Sequence, residues 1–144
     1  MNKEDRIYVT DSDSFFGEPL VRLLTERGFN NIVGLGSSGP DLGNSDAVSD
    51  FFTETKPDYV FLTAGKTAGI MGNKKFPASL MLDNLLSTCH VIESAYQTKA
   101  KKLLYLASSC TYPKHCPQPM KIEHLMTGTL EPTNEAYATA KLAG

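Results

Sequence analysis

The sequence predicts an α/β fold with a doubly wound parallel sheet. Three observations predict it. Short apolar runs recur at residues 6–10, 31–35, 59–64 and 103–108. Stretches with helical periodicity separate them, in the order β-α-β-α-β-α-β-loop-α. The length, 144 residues, gives room for one domain over residues 1–144. Strands alternating with helices at this spacing join through right-handed crossovers into a parallel sheet.

The elements follow in order. Arg6 to Thr10 is short, rich in β-branched residues and followed by polar turn residues, so it reads as the first strand. Phe16, Leu20, Leu23 and Leu24 fall on one helical face, and Gly28 stops that helix. Asn31 to Leu35 is the second strand, ended by the loop from Gly36 to Pro40. Ser45 or Asp46 caps a short helix carrying Val48, Phe51 and Phe52. Tyr59 to Ala64 is almost entirely apolar, as in a strand buried on both faces. After a glycine-containing loop, residues 77–100 read as a helix with a stripe of Leu82, Leu85, Leu86, Cys89, Ile92 and Tyr96. Leu103 to Ser108 is the fourth strand. A long loop runs from Cys110 to Pro132, and Asn134 caps a last helix containing Tyr137 and Lys141.

Composition excludes several classes. The chain is 41% hydrophobic and carries a formal net charge of −2, so neither disorder nor an electrostatic grip on nucleic acid or anionic membrane is expected. No apolar run is long enough to span a bilayer, and the charged first six residues do not read as a signal peptide. Three irregularly spaced cysteines, Cys89, Cys110 and Cys116, make no disulfide framework and fit a reducing cytoplasm. Nothing forms a metal-ligand pattern. The sequence stops no more than about three turns into its last helix, with strand four as an open edge, which predicts a piece of a longer protein.

Three segments can carry chemistry. The turn Asp11-Ser12-Asp13-Ser14-Phe15-Phe16-Gly17 occupies the place where dinucleotide-binding folds put a glycine-rich loop. There the glycines let the backbone approach a pyrophosphate at a helix N-terminus. Only Gly17 remains here, and Asp11 and Asp13 add negative charge. A capped turn that binds nothing is the competing reading. Tyr137 and Lys141 lie at i and i+4 on one helix face, so the ammonium is expected to lower the phenol's pKa and make it a usable proton donor. Such a pair alone also fits a solvated helix face. Ser108 and Cys110 end strand four, where open parallel sheets bind ligands, and continued extension would point both the same way. A buried small residue beside an inert cysteine is the plain alternative.

The combination is more specific than its parts. The stretches Lys102 to Lys114, Gln118-Pro119-Met120, Gly128 to Ala138 and Ala64 to Ile70 resemble the extended short-chain dehydrogenase/reductases. Within them they are similar to the GDP-L-fucose synthase family of epimerase-reductases. The resemblance covers nearly the whole chain. It implies a Rossmann-like domain without its substrate domain, NADP as cofactor, and a GDP-sugar substrate, with GDP-4-keto-6-deoxy-mannose converted to GDP-L-fucose. It implies no nucleic acid or membrane partner and is compatible with a homodimer.

By position, Ser108, Tyr137 and Lys141 match the family's reductase triad, and Cys110 matches its epimerisation residue. The partner acid of that cysteine is a histidine that none of His90, His115 or His124 matches. Cofactor contacts map to Asp11 through Gly17, Asp41, Leu42, Ala64, Leu106, Ala107, Ser108, Tyr137 and Lys141. The sequence departs from the family where two turn glycines are replaced. It departs again where Asp13, Leu35 and Ser37 stand for the arginines that hold the NADP 2′-phosphate. A degenerate, non-catalytic nucleotide-binding or interaction module is therefore the alternative.

Overall fold

The computed structural model describes residues 1–144. The elements are β1 (Ile7–Val9), α1 (Gly17–Glu26), β2 (Ile32–Val33), α2 (Ser45–Thr55), β3 (Tyr59–Leu62), α3 (Ile70–Lys75), α4 (Pro77–Gln97), β4 (Lys102–Tyr105) and α5 (Glu135–Ala143). The chain forms two compact units. The first comprises Met1–Ala64 with Leu86–Leu106, and the second comprises Gly65–Leu85 with Ala107–Gly144.

The first unit contains the sheet. Its strands are all parallel, in the order β2-β1-β3-β4. β4 is an edge, as expected. Side chains alternate between faces, as strand geometry requires. Ile7, Val9, Ile32, Tyr59 and Phe61 pack in one cluster with Leu20, Val21 and Leu24 of α1. Tyr8, Val60 and Leu62 pack in a second cluster with Val48 and Phe52 of α2 and Val91 and Ala95 of α4. The Tyr8 ring meets Phe52 edge-on, with centroids 5.7 Å apart, a favoured aromatic geometry.

Several boundaries differ from the sequence expectation, each for a local reason. Asn44, rather than Ser45 or Asp46, caps α2, accepting the N–H groups of Asp46 and Ala47 at 3.0 and 3.2 Å. β2 ends early because Gly34 is left-handed (φ +70°), and a Cβ there would fall 2.7 Å from the Phe51 ring. β3 is fully buried on only one face. Val60 and Leu62 are covered, whereas Tyr59 and Phe61 are half-buried and join exposed Leu104 around a groove of about 400 Å³. The buried face of α4 is Leu80, Asn84, Thr88, Val91 and Ala95, while Leu82, Leu86, Cys89 and Tyr96 are exposed. The apolar stripe and the packed face of this helix therefore differ.

The strand ends are tied at both extremities. At the amino ends, Lys101 Nζ pairs with Asp5 (2.7 Å) and Asp58 (3.0 Å), and Asp58 Oδ2 accepts the Arg6 N–H at 2.8 Å. At the carboxyl ends, the buried Thr10 hydroxyl accepts the N–H groups of Thr63 (3.0 Å) and Ala64 (2.8 Å). Thr10 thereby extends the β1–β3 pairing one step beyond the strands. It also fixes the point from which the next turn leaves.

The second unit is mostly loop. α3 is a short helix inside the segment read as a loop. Ser109–Thr111 and Ile122–His124 form single 3₁₀ turns. Lys114 pairs with Glu131 at 3.0 Å, and the Lys114 N–H donates to Thr129 O at 2.9 Å. Asn84, nearly fully buried, donates from Nδ2 to Lys66 O (2.9 Å) and Leu80 O (2.7 Å), tying the loop after Gly65 to α4. No helix is long and apolar enough to cross a membrane.

The Lys101 clamp gives a signed pH prediction. Its hydrogen bond is the main cause holding the Asp5 carboxyl below the ordinary aspartate value of 3.8. For Asp58 the Arg6 N–H comes first and Lys101 second. Carboxylates with depressed folded-state pKa contribute stability above the unfolded value and lose it as pH falls through the folded value. Lys101→Met should therefore lower the unfolding midpoint at pH 7, and the difference from wild type should close as pH falls below about 3.8. Urea unfolding over a pH series measures it.

Candidate active site

In the first unit, residues 11–17 connect β1 to α1. Asp11 adopts φ +47°, the left-handed conformation that glycine serves at such a turn. A Cβ on Gly17 would lie 2.0 Å from Asp11 O, so only glycine lets α1 start this close to the strand end. Ser12 is buried, and its Oγ accepts the Gly36 N–H at 2.8 Å, linking the turn to the loop after β2. Ser14 Oγ accepts the Gly17 N–H at 3.1 Å, and Ser14 O accepts the Glu18 N–H at 3.0 Å. Phe16, the N-cap, supplies no side-chain cap. Asp13 is exposed, as are Phe15 and Phe16, which stack edge-on at 5.1 Å.

This turn can be tested against a dinucleotide. Its backbone path fits: the left-handed residue, the close Gly17 approach and the helix start are all present. Its charges fit less well. Asp11 and Asp13 are carboxylates, and no lysine or arginine lies within residues 7–17 or 32–42. The negative charge of Asp11 helps raise the Tyr8 phenol, secondary to burial. Two of the helix N–H groups that a phosphate would use already bond to Ser14. The residues thus fit a nicotinamide dinucleotide in shape, and a 2′-phosphate poorly.

Other residues mapped to the cofactor stand in the same unit. Asp41 Oδ1 accepts the Gly43 N–H at 2.9 Å, and Leu42 O pairs with His90 Nδ1 at 2.9 Å. Ala64 is held by Thr10, and the Leu106 N–H donates to Leu62 O at 3.0 Å. Ala107 and Ser108 begin the next segment of the second unit.

That second unit brings together Ser108, Cys110 and Tyr137. They line a cavity of about 330 Å³ with Thr67, Asn73 and Asn134, among others. The strand does not stay extended through Cys110. A 3₁₀ turn begins at Ser109, and Ser108 Oγ accepts the Cys110 N–H at 3.2 Å. That bond occupies a lone pair of the Ser108 oxygen and leaves its proton to donate. Tyr137 receives a hydrogen bond from Ser108 that favours the phenolate, but burial is the stronger effect and raises the phenol above its ordinary value of 10.0. Negative charge on Cys110 adds to the rise. The expected lowering by Lys141 does not occur. Lys141 is 4% exposed, and burial pushes its own ammonium pKa down. Tyr137 is consequently a fully protonated donor at neutral pH, and a neighbouring hydroxyl is placed to stabilise the anion left after proton transfer.

Sequence reasoning missed three residues. A Cβ on Gly65 would fall 2.9 Å from Lys141 Nζ and 3.2 Å from Asn84 Oδ1, so Gly65 and Asn84 shape the space of the buried ammonium. A buried-face asparagine amid apolar helix positions was the available signal for Asn84. Asn134, expected to cap α5, makes no side-chain cap; its Nδ2 instead donates to Cys110 Sγ at 3.1 Å.

The chain resembles known proteins over nearly its whole length. The NAD dependent epimerase/dehydratase family profile matches residues 7–144. GDP-L-fucose synthase 1 of Arabidopsis thaliana is 45% identical over 143 residues, 99% of this chain and 44% of that protein. GDP-L-fucose synthase of Escherichia coli K12 is 40% identical over 144 residues, 100% of this chain and 44% of that protein. The solved structure of a GDP-mannoheptose C4 reductase from Campylobacter jejuni with NADP bound has a TM-score of 0.94. It is 36% identical, and the match covers 99% of this chain and 45% of that one. The chain spans a little under half the length of these relatives.

Ser108→Ala should move the Tyr137 titration further up, because it removes the one contribution that lowers it. Ultraviolet difference spectroscopy against Tyr137→Phe, after a rapid pH jump, isolates this phenol. A downward shift would contradict the assigned direction of the hydrogen bond.

Proposed function

The chain belongs to the NAD dependent epimerase/dehydratase family, and from that premise we propose that it is the N-terminal part of an NADP-dependent epimerase-reductase acting on GDP-4-keto-6-deoxy-mannose. The observation that carries the proposal is the Cys110–Ser108–Tyr137 arrangement on one cavity wall. It supplies the proton donor of the reduction and the base of the epimerisation, whose partner histidine none of His90, His115 or His124 matches.

Each residue has a role consistent with its environment. Tyr137 gives its proton to the sugar C4 oxygen as the carbonyl is reduced. Ser108 hydrogen-bonds the same oxygen and then the phenolate, stabilising charge that develops in the transition state. Cys110 exchanges a proton at the carbon beside the ketone. Lys141 holds the nicotinamide ribose. A bound nicotinamide cofactor supplies the hydride. In the first unit, residues 11–17, Asp41, Leu42, Ala64 and Leu106 are assigned to its phosphates and adenosine.

A second reading, a nucleotide-binding or interaction module without catalysis, is favoured by one observation. Ser14 satisfies two helix N–H groups that a phosphate would engage, and Asp11 and Asp13 oppose its charge. The two readings separate on turnover. In the natural product that carries residues 1–144, Tyr137→Phe should slow NADPH-dependent reduction of the keto sugar by roughly a hundred- to ten-thousand-fold, the usual contribution of a general acid. Full activity in that variant would remove Tyr137 from its role. Absence of activity in the wild type would favour the second reading.

A further inference from the structure

We propose that Asn134 is a positioning residue that holds Cys110 by its sulfur and biases it toward the thiolate. This inference rests on the epimerase reading of Cys110 for its purpose, though not for its geometry. Asn134 occupies the N-cap position of α5, and asparagine is among the best residues for capping. A lost cap costs roughly 0.5–2 kcal/mol. Here the side chain makes no cap bond. Its Nδ2 reaches across 24 residues of sequence to Cys110 Sγ at 3.1 Å.

The amide is aimed at the sulfur at the expense of the helix. Its Oδ1 is buried and accepts no hydrogen bond from the protein. An unsatisfied buried acceptor costs about 1–3 kcal/mol, so neither end of the amide is arranged for stability. A donor to sulfur stabilises the charged form over the neutral thiol. Cys110 also lies beside the start of α5, where the helix dipole favours negative charge.

The chemistry balances. The thiolate removes a proton from the carbon beside the ketone: the S–H bond forms, the C–H bond breaks, and its electron pair moves into the enolate. Asn134 keeps its own proton throughout. Charge on Cys110 is felt at Tyr137, where it strengthens the hold on the phenol proton. A thiolate waiting to act as base thus keeps the neighbouring acid loaded, and neutralising the sulfur relaxes that hold.

The test reads thiol reactivity rather than turnover. Wild type, Asn134→Ser and Asn134→Asp are alkylated with iodoacetamide across a pH series, and each cysteine is followed by peptide mass spectrometry. Serine preserves capping ability while removing the amide donor; aspartate replaces the donor with a negative acceptor. Cys110 alkylation near neutral pH should slow on the order of five- to tenfold in Asn134→Ser, from loss of the amide donor to the sulfur. Asn134→Asp should slow it further. Cys89 and Cys116 serve as controls within the same molecule and should be unchanged. An unshifted Cys110 profile in Asn134→Ser, or one that moves only in step with Cys89 and Cys116, would overturn the proposal. A tuned thiol in a product without epimerase activity would instead remove the functional reading and leave the pairing standing.

Discussion

The sheet is fastened at both ends of its central strands, and the rest of the first unit depends on that. Lys101 binds Asp5 and Asp58 where the strands begin. Thr10 carries the β1–β3 pairing past their carboxyl ends. Between these ties the two faces can be packed independently, α1 on one and α2 with α4 on the other. The adjacency of β1 and β3, with helices leaving to opposite faces, is the switch point at which open α/β sheets bind ligands. The turn at residues 11–17 departs from that point. Its approach to α1 is possible only because Gly17 has no side chain.

Two polar residues at helix starts are used differently. Ser14 acts as an internal acceptor for the start of α1 and competes with a phosphate for the same N–H groups. Asn134 leaves α5 uncapped and grips a sulfur instead. The two changes point in opposite directions. The cavity in the second unit holds the Ser108 and Tyr137 hydroxyls and a cysteine bonded by an amide, whereas the turn in the first carries two carboxylates and no cation. Chemistry and cofactor grip are separate properties, and this chain treats them differently.

The fold was largely legible because strand and helix periods are local. Four apolar runs and the helical stretches between them sufficed for the parallel sheet. Fine packing was less accessible. The α4 stripe of Leu82, Leu86, Cys89 and Tyr96 has a helical period, yet Asn84 and Thr88 are buried and those residues are exposed. Hydrophobicity alone cannot identify a buried face that includes an asparagine whose amide is bonded to Lys66 O in the preceding loop and Leu80 O one turn back. The candidate site was legible as a list of residue types: Ser108, Cys110 and Tyr137 do line one cavity. Its electrostatics was not. Helical spacing predicts a phenol lowered by Lys141, but burial acts on both groups and dominates. The roles of Asn134 and Gly65 depend on contacts between residues far apart in sequence, which no local pattern encodes.

The central claim is that a nicotinamide dinucleotide binds despite the altered turn, so its affinity is the most direct measurement. Isothermal titration of NADPH into the natural product carrying residues 1–144 should show saturable binding in the micromolar range. Asp11→Gly combined with Ser14→Gly should tighten it, by removing one negative charge and freeing the N–H group of Gly17. No saturable binding in either protein would contradict the account and leave a fold that keeps the residues of an enzyme without its cofactor.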